Sequence, residues 1–278
     1  MIGTADFLAL QKLLQDRCGM ALTSDKLYLV ASRLGPVAQK LGHRGVIEMM
    51  ADLRLAPKES TIQAVIEAMV THESLFFRDA KPFEQLGKVI PELMKTRAAA
   101  RRLRIWSAAC SSGQEPYSIA MQLREDFAGH PGWRWDITGT DISDPILRKA
   151  REGTYSGFEV RRGLSDERIR RHLRTLPDGS FQANEQLRAM VDFRKHNLLE
   201  PAAHLGQFDI VFCRNVLIYF DAPTKARALE LIARQLAPDG VLFLGAADTV
   251  IGVSSHFVAG GERGMFRKAP PAGMAKAG

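Results

Sequence analysis

The sequence holds only three cysteines in 278 residues, Cys18, Cys110 and Cys213. They are too few and too scattered for a disulfide framework or a zinc knuckle, and they suit a reducing compartment. The seven histidines show no metal-ligand spacing, so no metal is expected. No uncharged apolar run approaches the ~20 residues needed to cross a bilayer. The opening Met1-Ile2-Gly3-Thr4-Ala5-Asp6 lacks the charged-then-apolar pattern of a secretory signal. These absences predict a soluble, cytoplasmic protein without membrane insertion. The hydrophobic share of 46% and charged share of 25% exclude a disordered tail, a collagen-like repeat and a disulfide-rich miniprotein. A chain this long buries a core without metal or disulfide staples. Lys and Arg number 38 against 31 Asp and Glu, a net charge of +7. That excess points to an acidic partner without separating nucleic acid from an acidic protein surface.

Apolar spacing over the first ninety or so residues is helical. Phe7, Leu10, Leu13, Leu14 and Cys18 share a face of a helix closed by Gly19. Tyr28, Ala31 and Leu34 lie on a second, expected to end at Gly35-Pro36. Two more helices center on Val46–Leu53 and Ile62–Val70, and Pro82 starts a fifth. This predicts an all-α N-terminal domain over 1–92, followed by a basic linker over 93–102. From Leu103 the period changes. Leu103–Ala108, Trp135–Thr140, Phe208–Cys213 and Val241–Leu244 read as strands separated by helical stretches, the pattern of a doubly wound α/β sheet over 103–268. Residues of about 155–192 break the alternation. There Pro177-Asp178-Gly179 turns between segments around Phe181 and around Met190–Phe193, a small inserted β-subdomain. A flexible tail is expected over 269–278.

In such a sheet, ligands sit beyond the carboxyl ends of the strands, first at the turn after the first strand. Here that turn is Ser107-Ala108-Ala109-Cys110-Ser111-Ser112-Gly113-Gln114-Glu115. It is neither the dinucleotide fingerprint nor the P-loop, so both phosphate cradles are disfavored. It ends on Glu115, which repels a pyrophosphate and suits an amino group. Asp141, at the tip of the next strand, stands where a ribose diol is gripped. Two acids without a phosphate cradle favor a positively charged nucleoside such as S-adenosylmethionine.

Four blocks make a resemblance specific. They are Thr71-His72-Glu73-Ser74-Leu75-Phe76-Phe77-Arg78, Ile105–Ala120, Thr140-Asp141-Ile142-Ser143, and Phe208–Phe220 with its Cys213-Arg214-Asn215-Val216-Leu217-Ile218-Tyr219-Phe220. In this order they resemble the chemotaxis receptor glutamate methyltransferase (CheR) family over nearly the whole chain. The resemblance implies a class I, Rossmann-like methyltransferase fold with an all-α N-terminal domain and an inserted β-subdomain. It implies S-adenosylmethionine as methyl donor and S-adenosylhomocysteine as product. The methyl acceptors it implies are glutamate γ-carboxylates on the acidic, Glu-rich cytoplasmic helices of methyl-accepting chemoreceptors. It places His72, Ser74 and Arg78 against the cofactor, with Arg78 on the methionine carboxylate, Glu115 near the amino group and Asp141 on the ribose. Asn197 and Leu198 would lie against the adenine, and Asn215 and Val216 would line the methionine end. For the transfer itself the candidate residues are Arg78 and Tyr219, whose hydroxyl is read as orienting the acceptor.

His72 and Ser74 replace the family's usual Asn and Thr, and Gln114 replaces an acid. The turn at Pro177–Gly179 is shorter than in members that capture a receptor pentapeptide, which implies pentapeptide-independent recognition of the methylation helices, and the lack of an obvious surface apolar repeat favors a monomer. Arg161, Arg162, Arg168, Arg170, Arg171 and Arg174 in the insert, with Lys12, Arg17, Lys26, Arg33 and Lys40 on the N-terminal helices, form the basic surface for that docking. A nucleic-acid methyltransferase is disfavored: Asn215-Val216-Leu217-Ile218-Tyr219 stands where Asn-Pro-Pro-Tyr belongs, and no cysteine follows a proline. A non-catalytic S-adenosylmethionine-binding module remains open on sequence alone.

Overall fold

The computed structural model describes residues 2–270, which form two compact units, one running to Thr71 and including Tyr219–Thr224, and one of the remainder. The first unit holds α1 (Thr4–Cys18), α2 (Leu27–Lys40), α3 (Val46–Leu55) and α4 (Glu59–Met69). Their apolar stripes supply a core that includes Leu10, Leu14, Val30, Leu34, Met49, Val65 and Met69. Gly19 caps α1 in the left-handed region at φ 77° and donates to Gln15 O. The expected stop at Gly35-Pro36 does not occur: α2 runs through Pro36 to Lys40. Proline removes one helical hydrogen bond, but Leu34 and Ala38, on either side of it, are both fully buried, and that burial holds the helix together.

The second unit begins at His72, so α5 (Ala80–Thr96) belongs with the sheet, and the expected boundary at residue 92 moves to His72. Its Phe83, Leu86, Val89, Ile90 and Leu93 enter the same core as Leu103 and Ile105 of the first strand. The stretch expected as a linker is the end of this helix and a turn into β1 (Arg102–Ala108). There follow α6 (Gln114–Asp126), β2 (Arg134–Asp141), α7 (Asp144–Glu152), β3 (Thr154–Tyr155), α8 (Gly157–Arg161), α9 (Asp166–His172), β4 (Leu173–Thr175), β5 (Phe181–Ala183) and α10 (Glu185–Arg188). The chain continues as β6 (Val191–Lys195), β7 (Phe208–Cys213), α11 (Ala222–Gln235, its first residues grouped with the helical unit), β8 (Leu236–Leu244), β9 (Phe257–Ala259) and β10 (Met265–Lys268).

The main sheet has the order β6-β2-β1-β7-β8-β10-β9. The first five strands are parallel, and β10 and β9 close one edge antiparallel. Every residue of β7 is buried, as a central parallel strand covered on both faces requires. The strand order reverses at β1, whose neighbors are β2 and β7, so its carboxyl end is the topological switch point.

Two local readings change. Val191–Lys195 does not pair with the segment around Phe181; it is the parallel edge strand beside β2, with Gly139 opposite Phe193. The inserted sheet is instead β3-β5-β4, its hairpin closed by Leu176 N–H to Ser180 O at 2.8 Å. Asp239-Gly240 lies inside β8 at a register shift against β7, and Arg97 binds Asp239 there at 2.6 Å. The tail expected over 269–278 lies outside the described residues from Pro271 onward.

Candidate active site

The β1–α6 loop is held in one shape by its backbone. Cys110 N–H donates to Thr140 O at 2.8 Å, continuing the β1–β2 ladder, and Gly113 takes φ 91°. A Cβ on Gly113 would lie 3.0 Å from Ala150 and 3.1 Å from the Phe193 ring, so glycine is required on both counts. Ser111 N–H donates to one Asp141 oxygen at 2.9 Å and Ser143 N–H to the other at 3.0 Å. Burial pushes the Asp141 carboxyl above its ordinary value, opposed by these N–H groups and by the nearby His72. His196 N–H donates to Asp141 O at 3.0 Å, so the loop carrying Asn197 and Leu198 leaves β6 beside this acid. Leu198 is buried and Asn197 Oδ1 accepts Leu199 N–H at 3.1 Å.

A small cavity opens next to this loop, lined by Ser74, Arg78, Ser111, Glu115, Arg214 and Asn215 among others. Its center is Arg214, the residue directly after β7, whose side chain is 1% exposed. One terminal nitrogen donates to Glu115 Oε2 at 2.9 Å; the other donates to Arg78 O at 2.5 Å and to Asp79 Oδ2 at 2.8 Å. Ser107 Oγ donates to the second Glu115 oxygen at 2.8 Å. Both Glu115 oxygens thus have one donor each and keep lone pairs for a further one. Arg78 Nη1 donates to Glu73 O at 3.2 Å, which leaves most of its guanidinium donors uncommitted among the described residues.

Backbone strain collects here. Six described non-glycine residues have positive φ, and five of them, Phe77, Asp79, Ala109, Ser111 and Asn215, belong to the three segments that form this cavity. Such conformations cost on the order of 1–3 kcal/mol each and persist only where the surroundings over-determine them.

His72, Ser74, Arg78, Glu115, Asp141, Asn197, Leu198, Asn215 and Val216 all belong to the sheet unit. Tyr219 groups with the helical unit, where its carbonyl accepts Ala21 N–H at 2.8 Å. The sequence reading passed over Arg214 and Ser107. The signal for Arg214 was an arginine placed straight after a strand apolar at five of six positions, since a charge entering a buried layer needs carboxylate partners. Of the insert's arginines, Arg168 binds Glu125 at 2.8 Å, Arg162 faces Glu73 at 3.5 Å, Arg161 faces Asp166 at 3.6 Å, and Arg174 binds Gln182. Arg170 and Arg171 stand exposed at the end of α9.

The donor set fits a sulfonium nucleoside. It offers a carboxylate at the end of β2 for a ribose diol, a carboxylate with a free lone pair for an ammonium, and an uncommitted guanidinium for a carboxylate. Among the described residues no cluster of His, Cys, Asp or Glu could hold a metal ion, and no helix is long and apolar enough to cross a membrane.

Residues 72–263 match the family described as CheR methyltransferase, SAM binding domain, and residues 5–70 match CheR methyltransferase, all-alpha domain. The chain is 41% identical to the chemotaxis protein methyltransferase Cher2 of Pseudomonas putida over 259 residues, 92% of this chain and 94% of that protein. It is likewise 41% identical to chemotaxis protein methyltransferase 1 of Pseudomonas aeruginosa, over 91% of this chain and 93% of that one. A solved glycopeptide N-methyltransferase with S-adenosyl-L-methionine overlays at a TM-score of 0.33 and 15% identity, covering 51% of this chain and 43% of that one.

Proposed function

The chain belongs to the CheR methyltransferase family and is an S-adenosylmethionine-dependent methyltransferase, and from that premise we propose that it methylates glutamate γ-carboxylates of methyl-accepting chemoreceptors. The products are glutamate methyl esters and S-adenosylhomocysteine, and the setting is adaptation in chemotaxis-type signaling. The observation that carries the reading is the cavity in which Arg78, Glu115 and Asn215 meet, with Ser111 on its wall donating to Asp141.

When bound, S-adenosylmethionine supplies an electrophilic methyl group. The chain's own task is to hold and orient. Asp141 is the acceptor for the ribose hydroxyls, Glu115 for the amino group, and Arg78 the donor to the methionine carboxylate, a charge-assisted pair. His72 and Ser74 add hydrogen-bonding capacity on the Arg78 side, Asn197 and Leu198 bound the adenine, and Asn215 and Val216 bound the methionine end. A glutamate side chain with a pKa near ~4.3 is already ionized at neutral pH, so the acceptor needs no general base. Alignment and exclusion of water then supply the rate, and proximity effects of this kind reach ~7–11 kcal/mol. Tyr219 is assigned to orienting the acceptor carboxylate.

The acceptor is an acidic, Glu-rich cytoplasmic helix, and the protein acts in the cytoplasm as a monomer with neither nucleic acid nor membrane as partner. The net charge of +7 and the exposed Arg170 and Arg171 support an acidic partner. The tight Leu176–Ser180 hairpin, with Asp178 Oδ1 accepting Ser180 N–H at 2.9 Å, supports recognition without a receptor pentapeptide. The deciding experiment supplies radiolabeled methyl donor with receptor-containing membranes. Label that enters the receptor and is released by mild base, as an ester is, is the expected result. Binding of S-adenosylhomocysteine without any transfer would leave a cofactor-sensing module instead.

A further inference from the structure

We propose that the inserted subdomain is the brace that sets the 72–79 segment, with Gly163 and Arg168 as positioning residues for the Arg78 guanidinium. This rests on the reading of Arg78 as a cofactor contact. The segment carries two non-glycine residues in the left-handed region, Phe77 at φ 46° and Asp79 at φ 57°, one on each side of Arg78. A strained pair of this kind relaxes unless neighbors fix it. On the Asp79 side the fixing group is Arg214, already described. On the Phe77 side most of the contacts come from the insert.

Arg168 on α9 lies with its guanidinium carbon 3.8 Å from the center of the Phe77 ring, and the same guanidinium is chelated by Glu125 of α6 at 2.8 and 3.1 Å. His172 Nε2–H donates to Glu125 Oε1 at 2.8 Å. The carboxylate is thereby shared by two residues of the insert. Gly163, between α8 and α9, has φ 132°, and a Cβ there would fall 2.0 Å from Phe76 O. The insert therefore approaches the segment's backbone as closely as atoms permit, which only glycine allows. Phe76 itself is buried edge-on to Tyr155 of β3, with ring centers 5.0 Å apart. Ser118 of α6 completes the mount by accepting Phe77 N–H at 2.9 Å. Three insert residues thus grip two consecutive residues next to Arg78, and none of the three lines the cavity.

The test compares Gly163→Ala, Arg168→Ala, Arg168→Lys and, as a control in the same subdomain, Arg174→Ala. For each full-length protein, S-adenosylhomocysteine affinity is read by calorimetry, KM for the methyl donor and kcat by transfer to receptor, and Tm by thermal unfolding. Gly163→Ala and Arg168→Ala are expected to weaken affinity and raise that KM by about tenfold. Arg168→Lys, which keeps the charge over Phe77 and beside Glu125, recovers most of the loss, and Arg174→Ala changes neither quantity. A merely structural role lowers Tm and the active fraction but leaves Kd and KM where they were. If Gly163→Ala does not fold, the two Arg168 variants decide. Equal affinity in the unaltered protein and Arg168→Ala overturns the brace. Failure of the unaltered protein to bind S-adenosylhomocysteine overturns the reading of the site itself.

Discussion

Asp141 serves the loop and the proposed ligand with the same two oxygens. Each accepts one backbone N–H, from Ser111 and Ser143, and those bonds orient the carboxylate at the end of β2. Substitution Asp141→Ala removes the acceptor for the ribose and strands both N–H groups. We expect cofactor affinity to fall by ~1–3 kcal/mol, measured by calorimetry with S-adenosylhomocysteine, and Asp141→Asn, which keeps one oxygen, to lose less. Burial raises this carboxyl above the ordinary value of 3.8. The ionized form is the one that accepts two hydroxyls, so affinity is greatest above the raised pKa and declines as pH falls through it. That acid limb should disappear in Asp141→Asn; a limb that persists unchanged removes Asp141 from the contact. The position of Asp141 was legible because an acid at a strand tip has few structural reasons to be there. Arg214 was not legible in its role. Only the folded chain brings it to Glu115, Arg78 O and Asp79, which are 99, 136 and 135 residues away in sequence.

Elements with strong periodicity were read well, and those whose partners lie far off were not. β7 is apolar at five of six positions and could only be a central strand, and so it is. β6 alternates, with Val191 and Phe193 buried and Asp192 and Arg194 exposed, a pattern equally suited to a hairpin with Phe181 or to the edge of the main sheet. Its place is set by Phe193 filling the space over Gly139, where a Cβ would meet the ring at 2.8 Å, and that is a tertiary fact. α9 shows how one short helix can carry two tasks. Arg168 turns inward to Glu125 and Phe77, while Arg170 and Arg171 face solvent. Reversing both outer charges, Arg170→Glu with Arg171→Glu, is expected to raise KM for receptor several-fold at low salt, with the effect shrinking as salt screens it. Affinity for S-adenosylhomocysteine should stay as it was, because neither residue reaches Arg168's partners. A parallel loss of cofactor affinity would exclude these two arginines as a docking surface.

On the scale of the whole molecule, acid should destabilize the sheet unit through its buried histidines. His196 is buried between Trp106 and His204, with ring centers 5.9 and 5.4 Å away. Burial first, and the neighboring His204 second, depress its pKa from 6.5 to about 4. His172 is also lowered by burial, against the opposing pull of Glu125. An unfolded chain takes up a proton on each ring near pH 6.5, and the folded chain refuses it. Stability therefore declines as pH falls from 7 toward 5, by up to ~1.4 kcal/mol per pH unit for each such group. Asp141, whose folded pKa is raised, works in the opposite direction, because the folded state protonates first and gains from acid. The two buried histidines therefore favor a fall in stability with acid and Asp141 opposes it. Thermal unfolding of ligand-free protein at pH 7, 6 and 5 should show a falling Tm, and His196→Gln, which cannot take the proton, should flatten part of that fall. A slope identical in the variant would mean that His196 is open to protons in the folded state and that the packing of Trp106 against it is looser than the structure describes.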